Sequence, residues 1–163
     1  MEELIRKWYL HGVEVNYWYN KICRDPSIIG IEKVEEFFRN YQHKDLSPYH
    51  LNHDISKPYI QEIDEEGRVH YPNHSVKSSE LYTQRFGHDV FAEMIKHDMD
   101  FHRVKGDGIS NVWKLSFSDD LYATAWAEIY ANAELFGGFE SDSFKIKRKK
   151  LVRALSKRSR ECV

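Results

Sequence analysis

The chain has 163 residues, the usual length of one domain, and fractions of 41% hydrophobic and 14% aromatic residues can supply a packed core, which argues against intrinsic disorder. The formal net charge of −2 gives no overall field that would attract nucleic acid or an anionic membrane. Cys23 and Cys162 are far apart in the sequence and do not indicate a disulfide framework. No apolar run approaches the ~18–20 residues that a membrane span needs. We therefore expect a cytoplasmic protein without a membrane anchor.

The N-terminal quarter of the chain predicts two helices. Residues 3–22 carry apolar side chains near helical spacing and form the first, which Asp25-Pro26-Ser27 ends. Apolar positions within residues 31–40 mark the second helix. A loop over residues 45–48 follows.

The next segment predicts a buried helical turn and then a hairpin. Residues 49–55 form the turn, and Lys57-Pro58 stops it because the residue before proline avoids the helical region. Residues 59–63 and 68–71 are predicted strands, joined by a turn in which Gly67 takes a positive φ.

The remainder of the chain predicts further helices and no repeat. The predicted helices are residues 75–85 and 89–101, separated by a capping Gly87; a long alanine-rich helix from Ser118 as N-cap to Phe136; and a basic helix at about 143–160. A glycine-rich bend at residues 105–108 lies among them. The sequence therefore predicts an all-α fold with a small β-hairpin insertion.

Histidines and an aspartate supply the strongest chemical signal. His53 and Asp54 are adjacent within an apolar frame, and His74 and His97 lie at or inside later predicted helices. His11, on the first predicted helix, is a further candidate. Imidazole nitrogens with a carboxylate oxygen suit transition metals, so these residues predict a metal site.

The order of motifs resembles a known family. The run His53-Asp54-Ile55-Ser56-Lys57-Pro58-Tyr59, then residues 64–70 and Asn73-His74-Ser75, is similar to the core of HD-domain phosphohydrolases, in particular those of the tRNA nucleotidyltransferase and poly(A) polymerase group. The resemblance is continuous over about residues 50–85. It continues more faintly to about residue 138, where Ala131-Asn132-Ala133-Glu134 resembles a late Ala-Asp segment. It implies a single HD-type helical bundle over residues 1–163, with the hairpin inserted after the HD motif.

The resemblance also implies roles for individual residues. His53 and Asp54 would be metal ligands, His11 the upstream ligand, and His74 and His97 ligands of a second metal or phosphate contacts. Lys57 would steady a phosphate, as an ammonium beside a bound anion does.

Two positions depart from the family pattern. Ser56 stands where the family has glycine, which can change the backbone there. Asn132 stands where an aspartate usually closes the metal site, and an amide oxygen binds metal less well than a carboxylate. Glu128, one helical turn earlier, could supply the missing charge. If neither residue binds, the domain has kept its fold and lost catalysis.

The expected function is a metal-dependent phosphohydrolase acting on a nucleotide or a related phosphomonoester or phosphodiester. One or two divalent ions of Mn, Fe, Co, Ni or Zn would lower the pKa of a coordinated water to about 7. Asp54 and Lys57 would be the catalytic residues, and Lys57, Arg103 and Lys105 would contact the substrate.

Two other functions stay open from the sequence. Some HD-fold proteins with comparable histidine spacing are di-iron oxygenases, which two bound irons and oxygen-dependent turnover would indicate. A degenerate HD domain that binds a nucleotide or RNA is the other, and Asn132 keeps it open. The charges of the basic helix are interpreted as a solvated surface, and weak contact with nucleic acid is the alternative.

Other histidines and aromatic residues are given structural roles. The histidines predicted to lie on the surface or in the hairpin are His43, His50, His70, His88 and His102. The aromatic residues predicted to lie in the core, rather than to stack on bases, are Tyr17, Trp18, Tyr19, Trp126 and Tyr130.

Overall fold

The computed structural model describes residues 1–158 as a mostly helical chain with one small antiparallel hairpin, which confirms the predicted all-α fold class. The helices are α1 (Glu2–Arg24), α2 (Glu32–Asn40), α3 (Ser47–Asn52), α4 (Lys57–Ile60), α5 (His74–Phe86), α6 (Val90–Lys96), α7 (Asp100–Arg103), α8 (Gly108–Trp113), α9 (Ser118–Ala131) and α10 (Asp142–Ser156). The strands are β1 (Glu62–Ile63) and β2 (Val69–His70), and short 3₁₀ turns span Pro26–Ile28 and Ala133–Phe136. Cys162 and the predicted end of the basic helix at about residue 160 lie outside the described residues.

Backbone contacts divide the chain into two compact units. The first contains residues 1–14 and 45–98, and the second contains residues 15–44 and the chain from Met99 onward. Helix α1 therefore contributes its first half to one unit and its second half to the other. Whether the chain is a single domain stays a prediction.

The first unit has a core with many polar side chains. Its buried polar and charged residues are His50, His53, Asp54, Ser56, His74, Ser75, Ser78, Ser79 and Asp98. Tyr49, Tyr82 and Ile95 of the same unit are buried as well. Buried polar groups are costly unless they are hydrogen-bonded or used in binding. The concentration of such groups in this unit therefore indicates a functional site there.

The second unit has an aromatic core centred on α9. Tyr122 of α9 lies 4.9 Å from Phe37, 5.3 Å from Phe101 and 5.0 Å from Trp113, measured between ring centroids. Helix α10 is fixed to this core because the indole of Trp113 and the hydroxyl of Tyr122 donate hydrogen bonds to its carbonyls at 2.7 Å. Within residues 1–158, no helix has the length and apolar character needed to cross a membrane.

Two prolines begin helices where the sequence predicted a loop and a helix end. Pro48 lies in the first turn of α3, and Pro58 lies in the first turn of α4. Proline is tolerated there because the first backbone N–H groups of a helix have no partner within it. The predicted loop over residues 45–48 was therefore wrong at Ser47 and Pro48.

The structure differs from the prediction at four later points. The helix expected over residues 89–101 is broken into α6 and α7 at residues 97–99, where the buried Asp98 accepts a hydrogen bond from the Tyr49 hydroxyl. Helix α8 was not predicted. The alanine-rich helix ends at Ala131 rather than Phe136, and Gly137, with φ of 96°, caps the 3₁₀ turn that follows it. Ser118 is the first residue of α9 rather than its N-cap.

Candidate metal centre

The turn after α3 carries His53 and Asp54, which are only 2% and 3% exposed. The Nδ1 atom of His53 lies 2.7 Å from the carbonyl oxygen of His50. Because a carbonyl only accepts, Nδ1 carries a proton, and in the neutral ring Nε2 would then be the nitrogen able to coordinate a metal. This Nε2 lies 3.2 Å from Oδ2 of Asp54. The backbone thus orients the His53 imidazole toward the carboxylate.

Helix α1 brings a second imidazole to the same carboxylate oxygen. The Nε2 atom of His11 lies 3.6 Å from Oδ2 of Asp54. The Trp8 indole, one turn earlier on α1, packs edge-on against the His11 ring with centroids 5.6 Å apart. One donor atom each from His11, His53 and Asp54 lie within 4.8 Å of one another. This cluster could hold a metal ion.

A third imidazole approaches the other carboxylate oxygen. His74 begins α5 and places its Nε2 atom 3.6 Å from Oδ1 of Asp54. Asn73, immediately before it, has a left-handed backbone with φ of 54°, a conformation that asparagine tolerates better than most residues. The three histidines therefore reach Asp54 from α1, from the turn after α3 and from the start of α5.

Ser56 connects two of these segments. Its hydroxyl donates to the carbonyl of His74 at 2.8 Å and accepts from the Ser78 hydroxyl at 2.8 Å. Ser56 has ordinary helical angles, φ −78° and ψ −23°, so its position does not require the glycine of the family pattern. The serine is a structural link that positions the start of α5 against the turn that carries Asp54.

The ammonium of Lys57 lies beside Asp54 between two aromatic rings. Its Nζ atom is 3.0 Å from Oδ2 of Asp54. It also lies 4.0 Å from the Trp8 ring centroid and 5.2 Å from that of Tyr71. Cation–π contacts of this kind stabilise a partly desolvated ammonium. The aromatic pair thus holds a positive charge at the edge of the cluster.

The charges around Asp54 favour its ionised form. Burial alone would raise the pKa of this carboxyl, but the neighbouring His53, Lys57 and His11 hold it well below its usual range. A carboxylate that stays ionised while buried is suited to binding a cation. Asp54 Oδ1 also accepts no hydrogen bond from any residue within 1–158.

The donor atoms fit a transition metal. Nitrogen and oxygen ligands lie about 2.0–2.2 Å from such ions, so two ligands of one ion are about 3.0–3.5 Å apart. The separation of 3.2 Å between His53 Nε2 and Asp54 Oδ2 falls in that interval, and the 3.6 Å to His11 is slightly longer. A buried carboxylate with imidazoles is a donor set that binds Mn, Fe, Co, Ni or Zn.

The structure brings together five of the predicted site residues and locates the others elsewhere in the fold. The five are His11, His53, Asp54, Lys57 and His74. His97 is the C-cap residue that follows α6 in the first unit, and it is half-buried. The other predicted residues, Arg103, Lys105, Glu128 and Asn132, belong to the second unit.

Within the second unit, these residues have defined surroundings. The Glu128 carboxylate lies 2.8 Å from Nε2 of His102. Asn132 caps the C-terminus of α9, and Arg103 is exposed at the end of α7. Lys105 lines a cleft that also contains basic residues of α10. Their proposed roles in metal or substrate binding stay predictions.

Sequence reasoning missed several residues that shape the cluster. The prediction of a surface or hairpin position was wrong for His50, which is fully buried, and the His102 side chain is only 16% exposed. Trp8 and Tyr71 were not considered, although Trp8 precedes His11 by three residues and so shares its helix face. No pattern in the sequence indicated the link between Ser56 and Ser78.

Comparison with known proteins yields no relative. No protein-family model, curated protein or solved structure matches this chain. The HD-domain resemblance therefore rests on the motif residues alone.

Proposed function

We propose that the protein is a metal-dependent phosphohydrolase of HD-domain type, acting on a nucleotide or related phosphoester. One observation carries the proposal: the buried Asp54 carboxylate is surrounded by imidazole nitrogens of His11, His53 and His74 at 3.2–3.6 Å. Stability alone does not explain this set of residues, because burying a carboxylate and several imidazoles costs free energy. A bound cation would offset that cost.

The two oxygens of Asp54 divide the histidines into two groups. Oδ2 lies beside His11 and His53, and Oδ1 lies beside His74. A carboxylate with histidines beside both of its oxygens could help to bind either one metal ion or two. We propose Mn, Fe, Co, Ni or Zn as the resident metal, since these ions accept mixed nitrogen and oxygen ligands.

The chain's own residues suit a phosphate substrate. A divalent metal, when bound, acidifies a coordinated water and makes hydroxide available near neutral pH. Lys57, held by Trp8 and Tyr71, would contact a phosphate oxygen and neutralise the charge that develops on it. Asp54 stays ionised and orients the histidines around it.

Metal analysis and a phosphoester screen test the proposal. Protein purified without added metal should contain a transition metal at stoichiometric amounts, and hydrolysis of nucleotides and generic phosphoesters should depend on Mn, Co or Ni. Asp54→Asn and His53→Ala should abolish both properties. His88→Ala is the matched control, because His88 is exposed and pairs with Glu93.

The outcomes of this screen are distinct. Normal metal content with no turnover on any phosphoester would rule out the proposed activity, and iron with oxygen-dependent turnover would indicate the oxygenase instead. If Asp54→Asn retains full metal content, the cluster described here is not the metal site.

A metal-free anion-binding module is the second candidate. It is favoured by the ion pair between Lys57 and Asp54, which already gives the carboxylate a cationic partner at 3.0 Å. Phosphate binding that persists in EDTA and disappears in Lys57→Met would support this function over hydrolysis.

A further inference from the structure

The second unit contains a cleft of about 500 Å³ that combines aromatic and basic side chains. Its walls come from the second half of α1, the segment around Ile28 and Ile29, the end of α9 and the first turns of α10. None of the residues of the metal cluster lines it. It is therefore a separate candidate for ligand binding.

A continuous row of rings forms the apolar wall of this cleft. Trp18 lies 5.2 Å from Tyr130, Tyr130 lies 5.4 Å from Phe139, and Phe139 lies 5.2 Å from Phe144, measured between centroids. Phe139 is 46% exposed and Trp18 is half-buried. Trp18 thus lines an open cleft rather than the closed core predicted for it. Exposed aromatic surface of this kind favours contact with a planar apolar group.

Two cations lie beside the aromatic wall, and neither has an acidic partner among residues 1–158. The Nζ atom of Lys21 is 4.8 Å from the Trp18 ring centroid, and the Arg148 guanidinium donates to the carbonyl of Ile29 at 2.9 Å. Within residues 1–158, no carboxylate oxygen lies within 4.0 Å of either cation. Lys145 differs, because Glu140 lies 3.8 Å from it. The cleft therefore carries net positive charge at Lys21 and Arg148.

We propose that this cleft binds a nucleotide, with the base against Trp18 and Phe139 and the phosphate at Lys21 and Arg148. A planar ring joined to an anion is the ligand chemistry that an aromatic wall with uncompensated cations recognises. The hydrogen bond from Arg148 to Ile29 fixes the guanidinium and leaves its other N–H groups for phosphate oxygens. The nucleotide is either free or part of a single strand, and these sources share the same contacts.

Calorimetry with the full chain in EDTA tests the proposal, since chelation removes metal-dependent binding at the cluster around Asp54. The same titrations with Lys57→Met remove metal-free anion binding there, so binding that remains belongs to the cleft. The probes are adenosine 5′-monophosphate, adenosine, inorganic phosphate and a twelve-residue oligodeoxyadenylate. We expect the monophosphate to bind at least about tenfold more tightly than adenosine or phosphate alone, because stacking and ion pairing both contribute. Tighter binding of the oligonucleotide would assign the single strand as the source, and equal or weaker binding would assign the free nucleotide.

Single substitutions separate the two kinds of contact. Lys21→Ala and Phe139→Leu should each weaken binding of the monophosphate about five- to tenfold, and both side chains are exposed enough for the variants to fold. Lys149→Ala is the matched control, because it removes the same charge from an exposed α10 residue that does not line the cleft. The proposal is overturned if the monophosphate binds no better than inorganic phosphate, or if Lys149→Ala weakens binding as much as Lys21→Ala.

Discussion

Gly12 of α1 lies directly against the carbonyl group of His50: a Cβ atom at Gly12 would be 2.6 Å from that oxygen and 3.0 Å from the Cα of Leu51. The same carbonyl accepts the hydrogen bond that orients His53. The absence of a side chain at Gly12 therefore allows α1 to approach the segment that positions His53, and it places His11 beside Asp54.

Replacing Gly12 with alanine should destabilise the protein, although alanine normally favours a helix over glycine by about 0.5–1 kcal/mol. The new methyl group would collide with backbone, which cannot move as a side chain can, and overpacking of this kind typically costs about 1–3 kcal/mol. Urea unfolding measures the change, and metal content reports the displacement of His53. Glu14→Ala, at an exposed α1 position, is the control. Unchanged or raised stability of Gly12→Ala would contradict the close packing.

Ser56→Ala should reduce metal affinity as well as stability. The substitution removes the hydrogen bond to the His74 carbonyl, at a cost of about 1–2 kcal/mol, and releases the start of α5 from the turn that carries Asp54. Ser79→Ala is a matched control, because Ser79 is a buried serine of α5 that donates to the Ala92 carbonyl. Both variants should lose similar stability in urea unfolding. Equal metal affinities, measured by competition with a chelator, would show that Ser56 does not position His74.

Lys57→Met should lower the stability of the metal-free protein and raise its affinity for metal. Loss of the ammonium leaves the buried Asp54 carboxylate with one cationic neighbour fewer, and breaking a buried ion pair typically costs about 3–5 kcal/mol. Methionine keeps apolar contact with the Trp8 ring. Added Mn²⁺ should restore the melting temperature more in this variant than in wild type. Lys77→Met, which breaks an exposed pair with Glu80, should show little change in either measurement.

Asp89→Ala should destabilise the first unit by about 1–2 kcal/mol. The Asp89 carboxylate caps α6 by accepting from the backbone N–H groups of Phe91 and Ala92. It also accepts from the Tyr82 hydroxyl at 2.9 Å. Tyr82→Phe removes only the last of these bonds and should cost less. Urea unfolding of both variants gives the comparison, and a larger loss for Tyr82→Phe would show that the cap contributes little.

The thiol of Cys23 should react slowly with alkylating reagents. Burial raises its pKa to about 12, so the reactive thiolate is scarce at pH 8 and alkylation should be about a thousandfold slower than for a free thiol. In the unfolded chain the Cys23 thiol has a pKa of about 8.5, which is lower than its pKa in the folded protein. The contribution of this thiol to stability is therefore fully present below about pH 8.5 and is lost as the pH rises toward the folded pKa. Iodoacetamide labelling of Cys162→Ser, folded and in urea, measures the rates. Equal rates in the two states would refute the burial of Cys23.

Local patterns in the sequence predicted several of the elements and several residues of the candidate site. Helical spacing located α1 and α2, Gly67 located the hairpin turn, and Gly87 ends α5 as expected, with φ of 88°. The motif that resembles HD domains indicated His53, Asp54, Lys57 and His74, and the structure brings these side chains together. Each of these signals lies in a short stretch of the chain or in the order of short motifs, so a single sequence reveals it.

Long-range packing could not be predicted in the same way. The contact between Gly12 and His50 and the link from Ser56 to Ser78 join residues far apart in the chain, and neither serine nor glycine has a distinctive pattern there. Pro48 was assigned to a loop and Pro58 to the end of a helical turn, because the starting point of each helix was not known. The burial of His50 also depends on which distant segments pack against it, and the sequence does not reveal these. It was therefore wrongly predicted at the surface.

The position of Trp8 makes the candidate metal centre optically observable. Its indole contacts the Lys57 ammonium on one side and the His11 ring at its edge. Indole emission shifts with nearby charge, so a ligand that displaces Lys57 from Asp54, or that draws electron density from His11, changes the fluorescence of a residue native to the chain. Titration of metals and phosphates can therefore be followed without a label, with Trp8→Phe identifying the contribution of this one tryptophan.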